Sequence, residues 1–247
     1  MDVLGYRSKL AIVAPSTNTV VQPEMDEMRP RGVTNHIGRI LLHDVKVSGD
    51  EDFAGLMVTI RGALDEAIAS VMTARPDRVV LGISSEAFWD GVDGSRKLED
   101  DMLRLTGGVP VTMASTAVVD AMKRYGVRRV SIVTPYMPVG DEQVRRYFTE
   151  AGLSVVKVKG LRCESPTQIA HVPPSVLRDC VTELARTDCD AILQVGTNLP
   201  FAKLAGEAEF WFNKPVLAIN TVIYWSALRS SGINDSIAGF GSLLERH

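Results

Sequence analysis

The sequence predicts an α/β fold made of two similar lobes, each a mostly parallel sheet covered by helices. Three observations predict it. Short continuous apolar runs alternate with amphipathic stretches of helix length, turn residues bound the runs, and the whole pattern occurs twice. Strands that are apolar throughout need cover on both faces, which is the environment of a parallel sheet with crossover helices.

The elements follow in order. KLAIVAP (9–15) is rich in aliphatic residues and stops at Pro15, and GRILL (38–42) is the second strand, flanked by His36 and His43. Leu56, Ile60, Leu64, Ile68 and Val71 recur at helical spacing and predict a helix over 53–75. RVVLGIS (78–84) follows the turn signal Pro76-Asp77, and PVTMAS (110–115) and RVSIVTP (129–135) have the same strand character. A helix over 141–152 opens with Asp141 and Glu142, which complement the dipole at a helix N-terminus, and ends at Gly152. LSVVKVKG (153–160), DAILQVG (190–196) and PVLAIN (215–220) complete the strands.

The second half repeats the first. AIVAP (11–15) pairs with SIVTP (131–135), VVLGIS (79–84) with AILQVG (191–196), and GVPVTMASTAVVDAM (108–122) with NKPVLAINTVIYWSA (213–227). The offsets are 120, 112 and about 105 residues, and their steady shrinkage fits two copies that differ in loop length. Ligands of open parallel sheets bind beyond the carboxyl ends of the strands, so two facing copies put four strand-end loops around one cleft.

Composition narrows the partners. The chain has 247 residues, 45% of them hydrophobic and 23% charged, enough for a substantial core. A net charge of −3 argues against nucleic acid, which needs a basic face. No apolar run approaches the roughly 20 residues of a membrane span. The opening MDVLGYRSKLAIVAP lacks the basic-then-apolar layout of a secretory signal, and three cysteines without CxxC spacing point to a reducing compartment. A cytoplasmic protein is the expectation. No His has a partner at metal-ligand spacing, so no metal site is expected, and the absence of a P-loop or GxGxxG leaves nucleotide binding without support.

The strand ends read Pro15-Ser16-Thr17-Asn18-Thr19, Gly82-Ile83-Ser84-Ser85-Glu86, Thr134-Pro135-Tyr136 and Gly196-Thr197-Asn198-Leu199. Small hydroxyl and amide residues before a helix serve either as caps or as anion donors. Gathered on one side of the molecule, they suit a carboxylate and the extra charge that it carries as an enediolate.

The ordered set PSTNT, SSEAFWDG, GVPVTMASTAV, GVRRVSIVTPYMPVGDE, QVGTNLPF and KPVLAINTVIYWSALR resembles the aspartate/glutamate racemase superfamily over nearly the whole chain. Within it the sequence is most similar to the arylmalonate decarboxylase and maleate cis–trans isomerase branch. The resemblance implies two pseudo-symmetric Rossmann-like lobes, each with about four mostly parallel strands flanked by helices, and an active site between them. Residues 1–117 plus 222–247 are expected to form the first lobe and 118–221 the second. The resemblance also implies no metal, no organic cofactor, and a homo-oligomer. It implies that Asn18, the 82–85 loop, Tyr136 and the 196–197 amides hold a small carboxylate substrate.

The chain departs from that family at the two thiols which its racemases and isomerases carry, one per lobe. The first position falls at Gly82, Ile83 or Ser84, and the second at Gly196. The candidate catalytic residues are therefore Glu86, Tyr136 and Ser84, with Asn18, Ser16, Ile83, Ser85, Gly196, Thr197 and Asn198 as substrate-binding residues. Glu86 either moves protons or complements a helix dipole, and Tyr136 either donates to substrate or closes the cleft. Of the cysteines, Cys163 in GLRCESP can reach the cleft edge, whereas Cys180 and Cys189 read as structural. Phe88-Trp89 is a candidate apolar wall. Three functions are weighed: a decarboxylase first, then an isomerase or racemase with a rearranged acid–base pair, then a non-catalytic carboxylate binder.

Overall fold

The computed structural model describes residues 2–247. Its first half runs β1 (Ser8–Pro15), α1 (Val21–Glu27), β2 (Val33–Ile40), α2 (Asp50–Gly62), α3 (Leu64–Met72), β3 (Arg78–Leu81), α4 (Ser84–Ala87), α5 (Gly91–Leu105), β4 (Val111–Thr112) and α6 (Ala114–Tyr125). The second half runs β5 (Arg129–Thr134), α7 (Pro138–Glu150), β6 (Ser154–Gly160), α8 (Pro174–Ala185), β7 (Ala191–Gln194), α9 (Ala202–Phe212), β8 (Val216–Ala218), α10 (Ile219–Ser230) and α11 (Ser242–Arg246).

Two four-stranded sheets result, ordered β2-β1-β3-β4 and β6-β5-β7-β8, with every pairing parallel. The identical order in both halves is the repeat made visible. The central strands β1, β3, β5 and β7 are apolar because helices cover both their faces: Leu10 to Ala14, Val79 to Leu81, Ile132, Val133, Ile192 and Leu193 are fully buried.

The ladders correct one detail of the repeat. Val13 stands opposite Leu81, and its counterpart Val133 stands opposite Gln194. The Gly82 amide then donates to Val13 O at 2.7 Å, and the Val195 amide to Val133 O at 2.9 Å. Gly82 is thus equivalent to Val195, one residue off the sequence pairing, and Ile83 is the counterpart of Gly196.

Three boundaries also differ. Strand β2 starts at Val33 rather than 38, because Thr34, Asn35 and His36 are only half-buried and break the apolar signature. Strand β4 shrinks to Val111–Thr112 because α6 begins at Ala114. The single helix expected over 53–75 is two, interrupted at Ala63, because its apolar stripe serves two neighbours. Helix α3 packs Leu64, Ala67, Ile68 and Val71 toward β1 and β2, while α2 turns away to pack on α7 of the second half. Helix α10 is buried from Ile219 through Trp225 and packs on α6 and α1 as well as on β8. Among the described residues, no helix is long and apolar enough to cross a membrane.

Candidate active site

The carboxyl ends of β1, β3, β5 and β7 converge on a cavity of about 70 Å³. One side is polar and drawn from both halves: Asn18, Ser84, Ser85, Tyr136, Gly196, Thr197 and Asn198. The other is apolar, with Phe53, Leu56, Met57 and Ile60 from α2 and Leu42 and Val47 from the segment before it. Among the described residues lining it, none is Asp, Glu, Lys, Arg or His, and Tyr136 and Cys163 are the titratable ones.

The polar groups are held by one another. The Gly196 amide donates to Ser84 Oγ at 3.1 Å, and that oxygen shares a 2.9 Å hydrogen bond with the Tyr136 hydroxyl. Asn18 Nδ2 donates to Thr197 Oγ1 at 3.1 Å, and Thr197 Oγ1 donates to Gly82 O at 2.9 Å. Asn198 accepts from the Thr19 amide at 2.9 Å and donates to Pro166 O at 2.9 Å. Asn18 also caps α1, its Oδ1 accepting from the Val20 and Val21 amides at 3.0 and 2.9 Å. The cap fixes the side chain that faces Thr197.

Backbone shape matters at one position. Gly196 has φ +114°, and a Cβ there would sit 2.5 Å from the Pro135 ring. Only glycine fits this bend without strain, and the bend aims the Gly196 amide at Ser84.

An exposed arginine paired with a buried aspartate braces Tyr136. Arg162 donates to Tyr136 O at 2.6 Å and to the Asp141 carboxylate at 2.5 Å, and Thr134 Oγ1 donates to the other oxygen of Asp141. Burial raises the Asp141 carboxyl despite these partners. Burial pushes the Tyr136 hydroxyl far above its ordinary value, against the pull of Ser84 and Ser85, so it stays a protonated donor. Burial likewise pushes the Cys163 thiol up to about 11.

Asn18, Ile83, Ser84, Ser85, Tyr136, Gly196, Thr197 and Asn198 all line the cavity. Ser16 and Glu86 do not. Ser16 Oγ donates to Leu42 O at 3.1 Å and accepts from the Leu42 amide at 3.0 Å, tying the ends of β1 and β2 together. Glu86 turns away, forms an ion pair with Arg61 of α2, and leaves its other oxygen buried without a partner. Burial raises its carboxyl although Arg61 opposes the shift. Phe88 is no cavity wall either, since it packs on Tyr147 and Phe148. The apolar wall is Phe53, whose ring lies 5.3 Å from Tyr136 and 6.0 Å from Trp89. Phe53, Leu56, Met57 and Ile60 recur three and four residues apart, a stripe that sequence alone cannot tell from core.

Cys163 reaches the cavity because its loop crosses from the second half, its amide donating to Pro135 O at 3.0 Å. Cys180 and Cys189 are buried elsewhere, in α8 and before β7. Neither Ile83 nor Gly196 supplies a thiol at the two equivalent strand ends. Among the described residues, no group of three or more His, Cys, Asp or Glu side chains could hold a metal ion.

The family model of arylmalonate decarboxylase matches residues 10–244. A maleate isomerase of Nocardia farcinica is 23% identical over 252 residues, covering 98% of this chain and 97% of that protein. Among solved structures, a variant of the Nocardia farcinica maleate cis–trans isomerase with a covalently bound succinylcysteine intermediate superposes with a TM-score of 0.87 at 22% identity, over 97% of this chain and 98% of that one. An arylmalonate decarboxylase superposes with a TM-score of 0.75 at 21% identity, over 96% and 98%.

Proposed function

The chain belongs to the arylmalonate decarboxylase family, and we propose that it is a carboxy-lyase acting on a small acid with two carboxylates on one carbon. The observation that carries this reading is the two-faced cavity, neutral donors on one side and hydrocarbon on the other. A carboxylate held by Asn18, Ser84, Tyr136 and the Gly196 amide leaves its geminal partner against Leu42, Phe53, Met57 and Ile60. A charge there is poorly solvated, and departure as carbon dioxide removes it. The electron pair of the broken C–C bond stays on the α-carbon and delocalises into the retained carboxylate as an enediolate. Preorganised donors stabilise that charge without reorganisation; removing one donor of this kind typically costs about 10²–10³ in rate.

The intermediate then takes a proton. With Glu86 turned away, Cys163 and Tyr136 are the acids lining the cavity. We assign the proton to Cys163, because a thiol pushed up to about 11 is fully protonated at neutral pH yet more acidic than the Tyr136 hydroxyl. The new C–H bond leaves a thiolate, which solvent reprotonates.

A second reading, cis–trans isomerisation through a cysteine adduct, is favoured by the likeness to the enzyme with the succinylcysteine intermediate. An adduct needs a thiolate, and the burial that raises Cys163 disfavours that form. Incubation with methylmalonate, phenylmalonate and maleate in heavy water separates these readings. Carbon dioxide with one deuterium on the product carbon supports the decarboxylase. Fumarate from maleate without carbon dioxide would replace it with the isomerase, and thermal stabilisation by the acids without turnover would replace both with a binder.

A further inference from the structure

Glu24, on α1 of the first half, belongs to no cavity wall, yet it is tied to the second half at three points. Its Oε1 accepts the Phe201 and Ala202 amides, both at 2.9 Å, capping α9 where that helix supplies no cap of its own. Its Oε2 accepts from Asn220 Nδ2 at 2.7 Å, and the same Nδ2 donates to Thr197 O at 2.9 Å. Thr197 in turn accepts from Asn18, and Asn18 caps the first turn of α1. The circuit closes on the helix that carries Glu24. Lys203 of α9 pairs with Glu27, so the Glu24 carboxylate has only neutral donors.

We infer that Glu24 is a positioning residue: through Asn220 it sets where Thr197 and the Gly196 amide stand relative to Asn18 and Ser84, and so fixes the carboxylate site between the lobes. This rests on the reading of that site as the place where the retained carboxylate binds. The polarity of the chain is what makes it work. Asn220 Oδ1 is buried with no partner, so the asparagine makes both its bonds through Nδ2. Two acceptors, the Glu24 carboxylate and the Thr197 carbonyl, hold it in that orientation. A side-chain flip would satisfy a donor at position 24 but turn Oδ1 against the carbonyl of Thr197, pushing the 196–198 loop from its place.

Glu24→Gln tests this, because the new amide keeps an oxygen for the α9 cap while presenting a donor to Asn220. Hydrogen exchange of peptides covering 195–203 in the unliganded protein should accelerate about tenfold, the equivalent of one lost hydrogen bond, and KM for methylmalonate should rise about as much with a smaller change in kcat. The double variant Glu24→Gln/Asn220→Asp restores a donor–acceptor pair between 24 and 220 but offers no donor to Thr197. It should leave KM as high as in Glu24→Gln, because the introduced carboxylate turns an oxygen on the Thr197 carbonyl. Unchanged exchange in Glu24→Gln, or recovery of KM in the double variant, would overturn the inference. If wild type turns over neither methylmalonate nor phenylmalonate, the reading of the site fails, whereas the Glu24 circuit still stands or falls on the exchange result.

Discussion

Ser84 and Gly196 meet across the boundary between the two sheets, the Gly196 amide donating to Ser84 Oγ at 3.1 Å. Each stands just past the carboxyl end of the third strand of its own sheet. The same Ser84 oxygen shares a hydrogen bond with Tyr136, from a third strand end. Three elements far apart in sequence thus converge on one oxygen.

Ser84→Ala and Tyr136→Phe should each lower kcat/KM on methylmalonate by about 10²–10³. Ser84→Ala should also destabilise by ~1–3 kcal/mol, because the buried Gly196 amide loses its acceptor. Steady-state kinetics and thermal melts check both. Loss of stability without loss of activity in Ser84→Ala would confine it to a structural role.

Cys163→Ser should abolish most turnover while leaving the melting temperature within a few degrees of wild type. A raised thiol is protonated below about 11 and loses the proton above it. The acid form is thus present across neutral pH, and activity should fall only as pH climbs toward that value. Alkylation by iodoacetamide, which needs the thiolate, should run the opposite way and be slow at pH 7.

Glu86→Gln should leave kcat/KM within a few-fold of wild type, since Glu86 faces Arg61 and not the cavity. Burial raises this carboxyl, so the folded state holds its proton more tightly than the unfolded chain does. The favourable contribution of the protonated form is present at low pH and is lost as pH rises through the folded pKa. The variant should therefore match or exceed wild-type stability at pH 8. Thermal melts at pH 5 and pH 8 read this directly.

Much of this was legible in the residues and some was not. The repeat is legible because AIVAP and SIVTP lie on the central parallel strands β1 and β5, whose apolar faces leave little choice of residue, and PVTMAS and PVLAIN recur in the same order at the edge strands β4 and β8. The polar strand ends from Asn18 to Asn198 followed from it. The one-residue slip between Gly82 and Val195 did not, because β3 and β7 are both short apolar runs and only the hydrogen-bond ladder fixes their register. Glu86 is a related case, absent from the cavity lining. Sequence placed it beside the cleft, but its side chain direction depends on Arg61, on another helix. The wall made by α2 was hidden because a stripe facing a cavity and a stripe facing core have the same period.

Gly196→Ala should cost about 1–3 kcal/mol from the positive φ alone, more from the clash with Pro135, and should reduce activity with stability. Ile83→Ala, at ordinary extended dihedrals, should fold and enlarge the cavity. A Gly196→Ala protein with wild-type melting and kinetics would show that the bend at 196 is not required.

The most direct measurement is a crystal structure of the Cys163→Ser variant soaked with methylmalonate. One carboxylate should lie within hydrogen-bond distance of Ser84 Oγ, the Tyr136 hydroxyl and the Gly196 amide, with the other against Phe53 and Met57. A carboxylate bound outside this cavity, or both carboxylates on the polar face, would contradict the account.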